Sequence, residues 1–209
     1  MDKKVIKSLF ANIVERGGLR PVMSGVHFEK EESYASDGHI LVIYNKGSKE
    51  LAGKTVDQFG TIIDGRYPNV HAVIPQNVKK HDVQVDFTQL SKACDWHLRQ
   101  EGNNDEDVVV IDNSGFKIKL LSKLLSVFNA AGELKKCCLF ESEPEKARVL
   151  KSDSLTSIIM PCLFEPAKID AKREDEGCPM TFSFENFINN FVFESWKHKP
   201  VKTEMAWLQ

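Results

Sequence analysis

Five consecutive apolar residues, Ile40-Leu-Val-Ile-Tyr44, follow the short polar stretch Ser36-Asp-Gly-His39. A strand that alternates apolar and polar residues can leave one face to water, but a strand apolar at every position needs both faces covered. The chain therefore has to place apolar material on two sides of one sheet. With 209 residues, 42% of them hydrophobic, it can bury one sizeable core or two small ones. Upstream, Gly25-Val-His-Phe-Glu29 is a second extended segment, and the charged Lys30-Glu31-Glu32 between it and the strand read over residues 34–44 predicts a hairpin.

Around this hairpin the pattern alternates helices and strands. Asp2 caps a predicted helix in which Val5, Leu9 and Ile13 form one apolar row and Ile6, Phe10 and Val14 the next, with Gly17-Gly18 as its stop. Gly47, Gly53 and Gly60 punctuate residues 45–64 and leave a short strand at 59–63, and the prolines of residues 67–75 predict an extended connector. Beyond a boundary near 75–82 the order repeats. A strand at 82–87 precedes a helix from Thr88, followed by an acidic loop at 101–107 and a hairpin of 108–111 with 116–120. A helix at 121–131 stops at Gly132, and strands follow at 136–140, 147–150 and 156–160. Residues 165–179 read as a charged linker, 180–184 as a strand and 185–196 as a helix. The repetition suggests two related modules, 1–78 and 79–164, with an extension over 165–209. The fold class is α+β, antiparallel sheets with helices on one face.

Composition removes several functions. A net charge of −2 and a pI near 6.3 leave no general nucleic-acid coating, so any DNA contact must come from a local concentration of Lys and Arg. The five cysteines, Cys94, Cys137, Cys138, Cys162 and Cys178, are odd in number and lack Cys-x-x-Cys spacing, which predicts reduced thiols rather than a zinc ribbon or disulfide framework. Lysines interrupt the first ten residues and no apolar run approaches the ~20 residues of a membrane span, so a cytoplasmic protein without membrane contact is expected. Neither a phosphate loop, a His-Glu-x-x-His zinc helix nor a Gly-x-Ser-x-Gly elbow occurs. Cys94 and His97 share a helix face and read as a structural pair, and Asp105, Glu106 and Asp107 read as a solvated charge run. No enzyme activity, cofactor or metal is expected.

Three segments in order carry a resemblance: Ser33-Tyr-Ala-Ser-Asp-Gly-His-Ile-Leu-Val-Ile-Tyr44, Asp64-Gly-Arg-Tyr-Pro-Asn69 and Ser157-Ile-Ile-Met-Pro-Cys162. Together they resemble the beta sliding clamp of bacterial DNA polymerase III. That family has an Ala-Thr-Asp-Gly-His-Arg-Leu strand and a Gly-Arg-Phe-Pro hinge, and ends in Met-Pro-Met-Arg-Leu. Residues 1–164 look like its second and third modules without the first, and Leu19-Arg-Pro-Val-Met-Ser-Gly-Val-His-Phe28 looks like the start of the second.

The resemblance implies DNA-clamp-like modules, each built of two similar halves, that encircle double-stranded DNA without reading its sequence. It also implies an apolar groove between modules for short peptides of a DNA polymerase or other clamp-binding proteins. Carried onto this chain, the groove comprises Ser36, Gly38, His39, Leu41, Pro68, Val73, Ile158, Ile159, Met160, Pro161 and Cys162. Lys3, Lys4, Lys7, Lys92, Arg99 and Lys123, all on predicted helices, become the DNA-facing residues, and a homo-oligomer such as a trimer of two-module chains would close a ring. A clamp-derived adaptor or decoy that keeps the groove without encircling DNA is the alternative. The chain also departs from the pattern. Only twenty residues separate Tyr44 from Gly65, Ile40 stands where the family has arginine, Ala72 stands where arginine is common, and 45 residues follow Phe164. That tail either completes a shortened module, swaps into a neighbouring subunit, or lies over the groove.

Overall fold

The computed structural model describes residues 9–14, 20–76, 78–80, 85–99, 107–111, 114–141, 147–162 and 191–193. Twelve strands are found among them: β1 Val26–Phe28, β2 Ser33–Ser36, β3 Ile40–Tyr44, β4 Lys54–Val56, β5 Ile62–Ile63, β6 Lys79–Lys80, β7 Val108–Ile111, β8 Ser114–Lys117, β9 Cys138–Glu141, β10 Arg148–Lys151, β11 Leu155–Ile159 and β12 Phe191–Phe193. Two α-helices of three turns or more are described, α1 Phe87–Leu98 and α2 Ile118–Ala130. Nine strands form one sheet in the order β5-β4-β1-β2-β3-β11-β10-β9-β6, and β12-β7-β8 form a second. All of the pairings are antiparallel, so the fold is α+β.

β3 lies at the middle of the large sheet, between β2 and β11, and all five of its residues are buried. Its two faces look into different clusters, as a strand apolar at every position requires. Ile40, Val42 and Tyr44 enter the main core with α1, α2 and the Leu9, Phe10 and Ile13 side chains, whereas Leu41 and Ile43 enter a smaller cluster on the opposite face.

α2 buries Ile118, Leu121, Leu124, Leu125 and Phe128, the three-and-four spacing that keeps one helical stripe on the core. Its first amide, from Ile118, donates to the Asp107 carbonyl at 2.8 Å. At its end Gly132, with φ +73°, donates to the Asn129 carbonyl at 2.9 Å, and Glu133 N–H reaches the Phe128 carbonyl at 2.9 Å. That is a Schellman stop, and it needs the left-handed backbone that glycine adopts without strain. α1 starts where Asp86 Oδ1 accepts the Thr88 and Gln89 amides at 2.9 and 3.1 Å. The small sheet joins the large one through Arg148, buried and donating to Ser114 Oγ at 2.7 Å, and through the Cys162 amide to the Gly115 carbonyl at 2.8 Å.

Several expected elements differ. The strand expected over 34–44 is two strands, because Asp37-Gly38 turns the chain back on itself; the Asp-Gly pair outweighs the apolar residues around it. Phe87 opens α1 instead of ending a strand, since the Asp86 cap fixes the helix start one residue earlier than Thr88. α2 begins at Ile118, not 121, because burying Ile118 extends its apolar stripe by one turn. β4 has no strong sequence signal and pairs with β1, and a 3₁₀ turn at Val70–Val73 interrupts the connector at 67–75. Phe191–Phe193, expected within a helix, is a strand because it completes a ladder with β7. The helix start at Asp2, its Gly17-Gly18 stop, residues 81–84, the Asp112-Asn113 turn and residues 163–190 lie outside the described residues.

Two outcomes follow. Phe128→Ala, which empties a fully buried position in α2, should cost about 3–5 kcal/mol in urea unfolding. Glu133 accepts hydrogen bonds from both the Ser152 and Ser154 hydroxyls and from the Ser154 amide, tying the end of α2 to the β10–β11 turn. Partial burial opposes its charge, but these bonds and the Lys136 charge outweigh it and hold its pKa below the ordinary carboxylate value. A carboxylate depressed in the folded state stabilises it above the ordinary pKa, and that contribution is lost as pH falls through the folded value. Glu133→Gln should therefore destabilise at neutral pH and flatten the acid limb of a stability-against-pH curve, measured by urea unfolding from neutral to acid.

Candidate functional site

The site is built on the turn that sequence alone reads as strand. Asp37 Oδ1 accepts the His39 and Ile40 amides, both at 3.0 Å, while Ser36 Oγ donates to the Ile40 carbonyl at 2.8 Å and accepts the Gly38 amide at 3.1 Å. Gly38 sits at φ +89°, which a side-chain-bearing residue there would resist. The second carboxylate oxygen, Asp37 Oδ2, lies 3.4 Å from Lys123 Nζ on α2. One carboxylate thus holds both the turn and its distance from the helix layer. On the far side of β3 the Met160 amide donates to the His39 carbonyl at 3.2 Å, fixing the end of β11 against the same turn.

Below the turn, Leu41 and Ile158 are register partners across β3 and β11. They share the outer face with Tyr34, Ile43 and Ala147, and Tyr67 and Val70 lie over that face with Val22 and Ile74 at its margin. Aromatic rings fasten the cover to the sheet. His27 stacks on Tyr34 at 5.0 Å between centroids and lies 5.2 Å from Tyr67, while Tyr34 meets Tyr67 edge-on at 5.3 Å. His27 Nδ1 bonds Thr55 Oγ1 at 2.9 Å and its Nε2 lies 3.2 Å from Glu29 Oε1. The tautomer that fits is the one with Nε2–H donating to the carboxylate and Nδ1 accepting the threonine proton. His71, in the 3₁₀ turn, reaches Glu32 Oε1 at 2.6 Å. Burial, reinforced by Glu29 and Glu32, pushes the Tyr34 hydroxyl up to about 12, so it remains a neutral phenol.

The structure brings Ser36, Gly38, His39, Leu41, Ile158 and Met160 together through the Asp37 turn and the β3–β11 pairing. Val73 and Met160 stay exposed, at 59% and 47%, and Pro68 is exposed on the covering segment. Ile159 does not belong with them. Pleating turns it to the opposite face, where it is fully buried in the main core beside its register partner Ile40. Pro161 and Cys162 are half-buried, and the Cys162 amide is committed to Gly115. The sequence reading missed Tyr34, Ile43, Tyr67 and Val70. The parity of β2 and β3 could have given the first two; Val70 required the 3₁₀ turn.

Of the cationic residues, Lys3, Lys4 and Lys7 lie outside the described residues. Lys92 is exposed on α1 and Arg99 at its C-terminal cap, but Asp95 lies between them and accepts a bond from Ser122 Oγ at 2.8 Å. Lys123 is the residue bound to Asp37. The helix face is therefore of mixed charge.

His97 does not pair with Cys94 in a reactive arrangement. Its Nε2 is 2.7 Å from Asp107 Oδ2, with both side chains buried, so Asp107 is part of the interior and not of a solvated run. Desolvation raises the Cys94 thiol far above its ordinary pKa, which leaves it un-ionised and unreactive. Among the described residues no group of three or more His, Cys, Asp or Glu is placed to hold a metal ion, and no helix is long and apolar enough to cross a membrane.

Antiparallel sheets with two helices packed on one face form an α+β fold of the DNA-clamp type. Among solved structures, the chain is similar to the DNA polymerase sliding clamp of Pseudomonas aeruginosa, with a TM-score of 0.61 and 13% identity over 77% of this chain and 65% of that one. The Bacillus subtilis sliding clamp gives a TM-score of 0.60 at 15% identity, over 76% of this chain and 61% of that one. The Helicobacter pylori beta clamp, solved bound to a DNA ligase peptide, gives 0.60 at 11%, over 76% and 62%. The chain has the fold of the DNA polymerase III beta sliding clamps and spans less than two thirds of the length of each of these three. No protein-family model and no curated protein sequence matches it.

Asp37→Ala removes the acceptor for two turn amides and the partner of Lys123, and should lower stability by about 1–2 kcal/mol. Asp37→Asn keeps an acceptor oxygen and should recover most of that loss. The unfolding midpoints of the two variants in urea provide the check.

Proposed function

We propose that this chain is a non-enzymatic, sliding-clamp-like processivity factor of the cytoplasm. It tethers a DNA polymerase or another clamp-binding protein through the exposed Val73 and Met160 at the margin of the buried Leu41–Ile158 cluster, and as an oligomer of two modules per chain, 1–78 and 79–164, it encircles double-stranded DNA. The observation that carries the tethering is the covered outer face of β3 and β11. There, paired aliphatic residues sit beneath an aromatic-anchored segment, with Val73 and Met160 exposed nearby. Such a surface suits an extended peptide with one Leu or Phe anchor. The flexible Met160 thioether adapts to the anchor, and backbone groups of the turn fix the peptide main chain. The peptide-bound Helicobacter pylori clamp of the same fold supports this reading.

Encirclement rests on the fold and on exposed Lys92 and Arg99. A closed ring is linked topologically to DNA, so a few weak phosphate contacts suffice for retention. A non-encircling adaptor is favoured by a different observation: Asp37 and Asp95 reduce the cationic character of the α1–α2 face.

A fluorescein-labelled clamp-binding peptide of the polymerase type should bind the wild-type chain. Met160→Asp and Val73→Asp should each weaken that binding at least about tenfold in anisotropy titrations, the loss of an anchor worth ~1.4 kcal/mol. Unchanged affinity in both would remove the groove assignment. Light scattering over a range of concentrations separates the two assemblies: a closed oligomer that a Lys92→Glu/Arg99→Glu variant releases from circular DNA supports the ring, and a monomer throughout supports the adaptor.

A further inference from the structure

The second sheet contains an interaction surface that the clamp reading does not use. β7 is Val108-Val-Val-Ile111, four β-branched residues in a row, and its Val108, Val109 and Ile111 side chains are buried. β8 takes one of its edges. The other edge would present unpaired N–H and C=O groups along an apolar strand, the arrangement that recruits strands from other chains. β12 occupies that edge, antiparallel, with Phe191 opposite Ile111, Val192 opposite Val110 and Phe193 opposite Val109.

The occupant is three residues long and pairs only with β7. Residues 163–190 separate it in sequence from Cys162. By contrast, β8 is joined to β7 across two residues. A connection of that length reaches up to about 90 Å at ~3.3 Å per residue, far more than the distance across one molecule of this size. Chain connectivity therefore does not decide whose β7 receives the strand. A three-residue ladder holds few interactions, so opening it costs little.

We propose that the free edge of β7 is a strand-acceptor site with an exchangeable occupant, the Phe191-Val192-Phe193 segment, held in cis in one molecule and supplied in trans by a second copy when two molecules meet. Main-chain hydrogen bonds along the β7–β12 ladder give the affinity. The covalent connection raises the local concentration of the cis strand over that of a free one, so at micromolar protein the cis form dominates and a peptide in trans competes poorly. This inference is independent of DNA encirclement and of the peptide surface at Leu41.

The test uses the full-length chain and a fluorescein-labelled synthetic peptide with the sequence of residues 187–197. In a strand, successive residues direct their N–H groups to opposite sides, so the double variant Val192→Pro/Phe193→Pro removes whichever amide faces β7. Hydrogen exchange read by mass spectrometry on residues 107–111 should show protection in the wild type, loss of part of it in the variant, and its return when the peptide is added. The variant should bind the peptide at least tenfold more tightly than the wild type, and the same peptide carrying the two prolines should bind neither. If the variant self-associates through its bare edge, excess peptide should return it to the mass of the wild type. Equal peptide affinity in both proteins, unchanged protection of residues 107–111 in the variant, or association that peptide does not reverse would each overturn the proposal.

Discussion

The antiparallel ladder between β3 and β11 is the constraint on which the rest depends. It joins strands far apart in sequence over five register pairs, Tyr44 with Leu155 through Ile40 with Ile159. Because side chains alternate, this register alone decides that Ile40, Val42 and Ile159 meet the helices while Leu41, Ile43 and Ile158 meet Tyr67 and Val70. A slip by one residue would exchange the two sets. The main core, the outer cluster and the candidate peptide surface are consequences of the same pairing.

Polar groups hold the layers around that ladder. α2 is fixed at its start by the Asp107 carbonyl, near its middle by Lys123 and Asp37, and beyond its end by Glu133 with Ser152 and Ser154. Asp107 also binds His97 of α1 within the interior, so one residue serves both helices. Asp37 has a comparable double role, closing the turn at the candidate site and holding a lysine of the helix layer. The outer surface and the helix face are therefore mechanically connected, and a cation that a clamp could direct at DNA is partly used for structure.

The sequence made the strand-helix order of residues 108–160 legible because each element there has a strong local signal: β-branched runs for β7 and β11, a three-and-four stripe for α2, and Gly132 at its stop. Elements whose reason is a partner were not legible. β4 forms because β1 offers an edge, and Phe191–Phe193 is a strand because β7 offers another, although its Phe- and Asn-rich surroundings read as a helix. Asp37-Gly38 is a turn motif, but the apolar residues around it give the whole stretch the sequence pattern of one strand.

The sequence by itself determined that Ile40–Tyr44 must be covered on both sides, since no apolar strand leaves a face to water at low cost. The resemblance carried by three short motifs also implied that their segments meet, and Leu41, Tyr67 and Ile158 of those segments do share the outer cluster. Only the tertiary structure decided which residues of those segments face it. Ile158 lines the outer cluster while Ile159 enters the core, and Val70 is inside where Val73 is outside. Neighbouring residues of the same chemistry differ only in direction, and direction is set by strand register and by a 3₁₀ turn, neither of which has a sequence signal of its own.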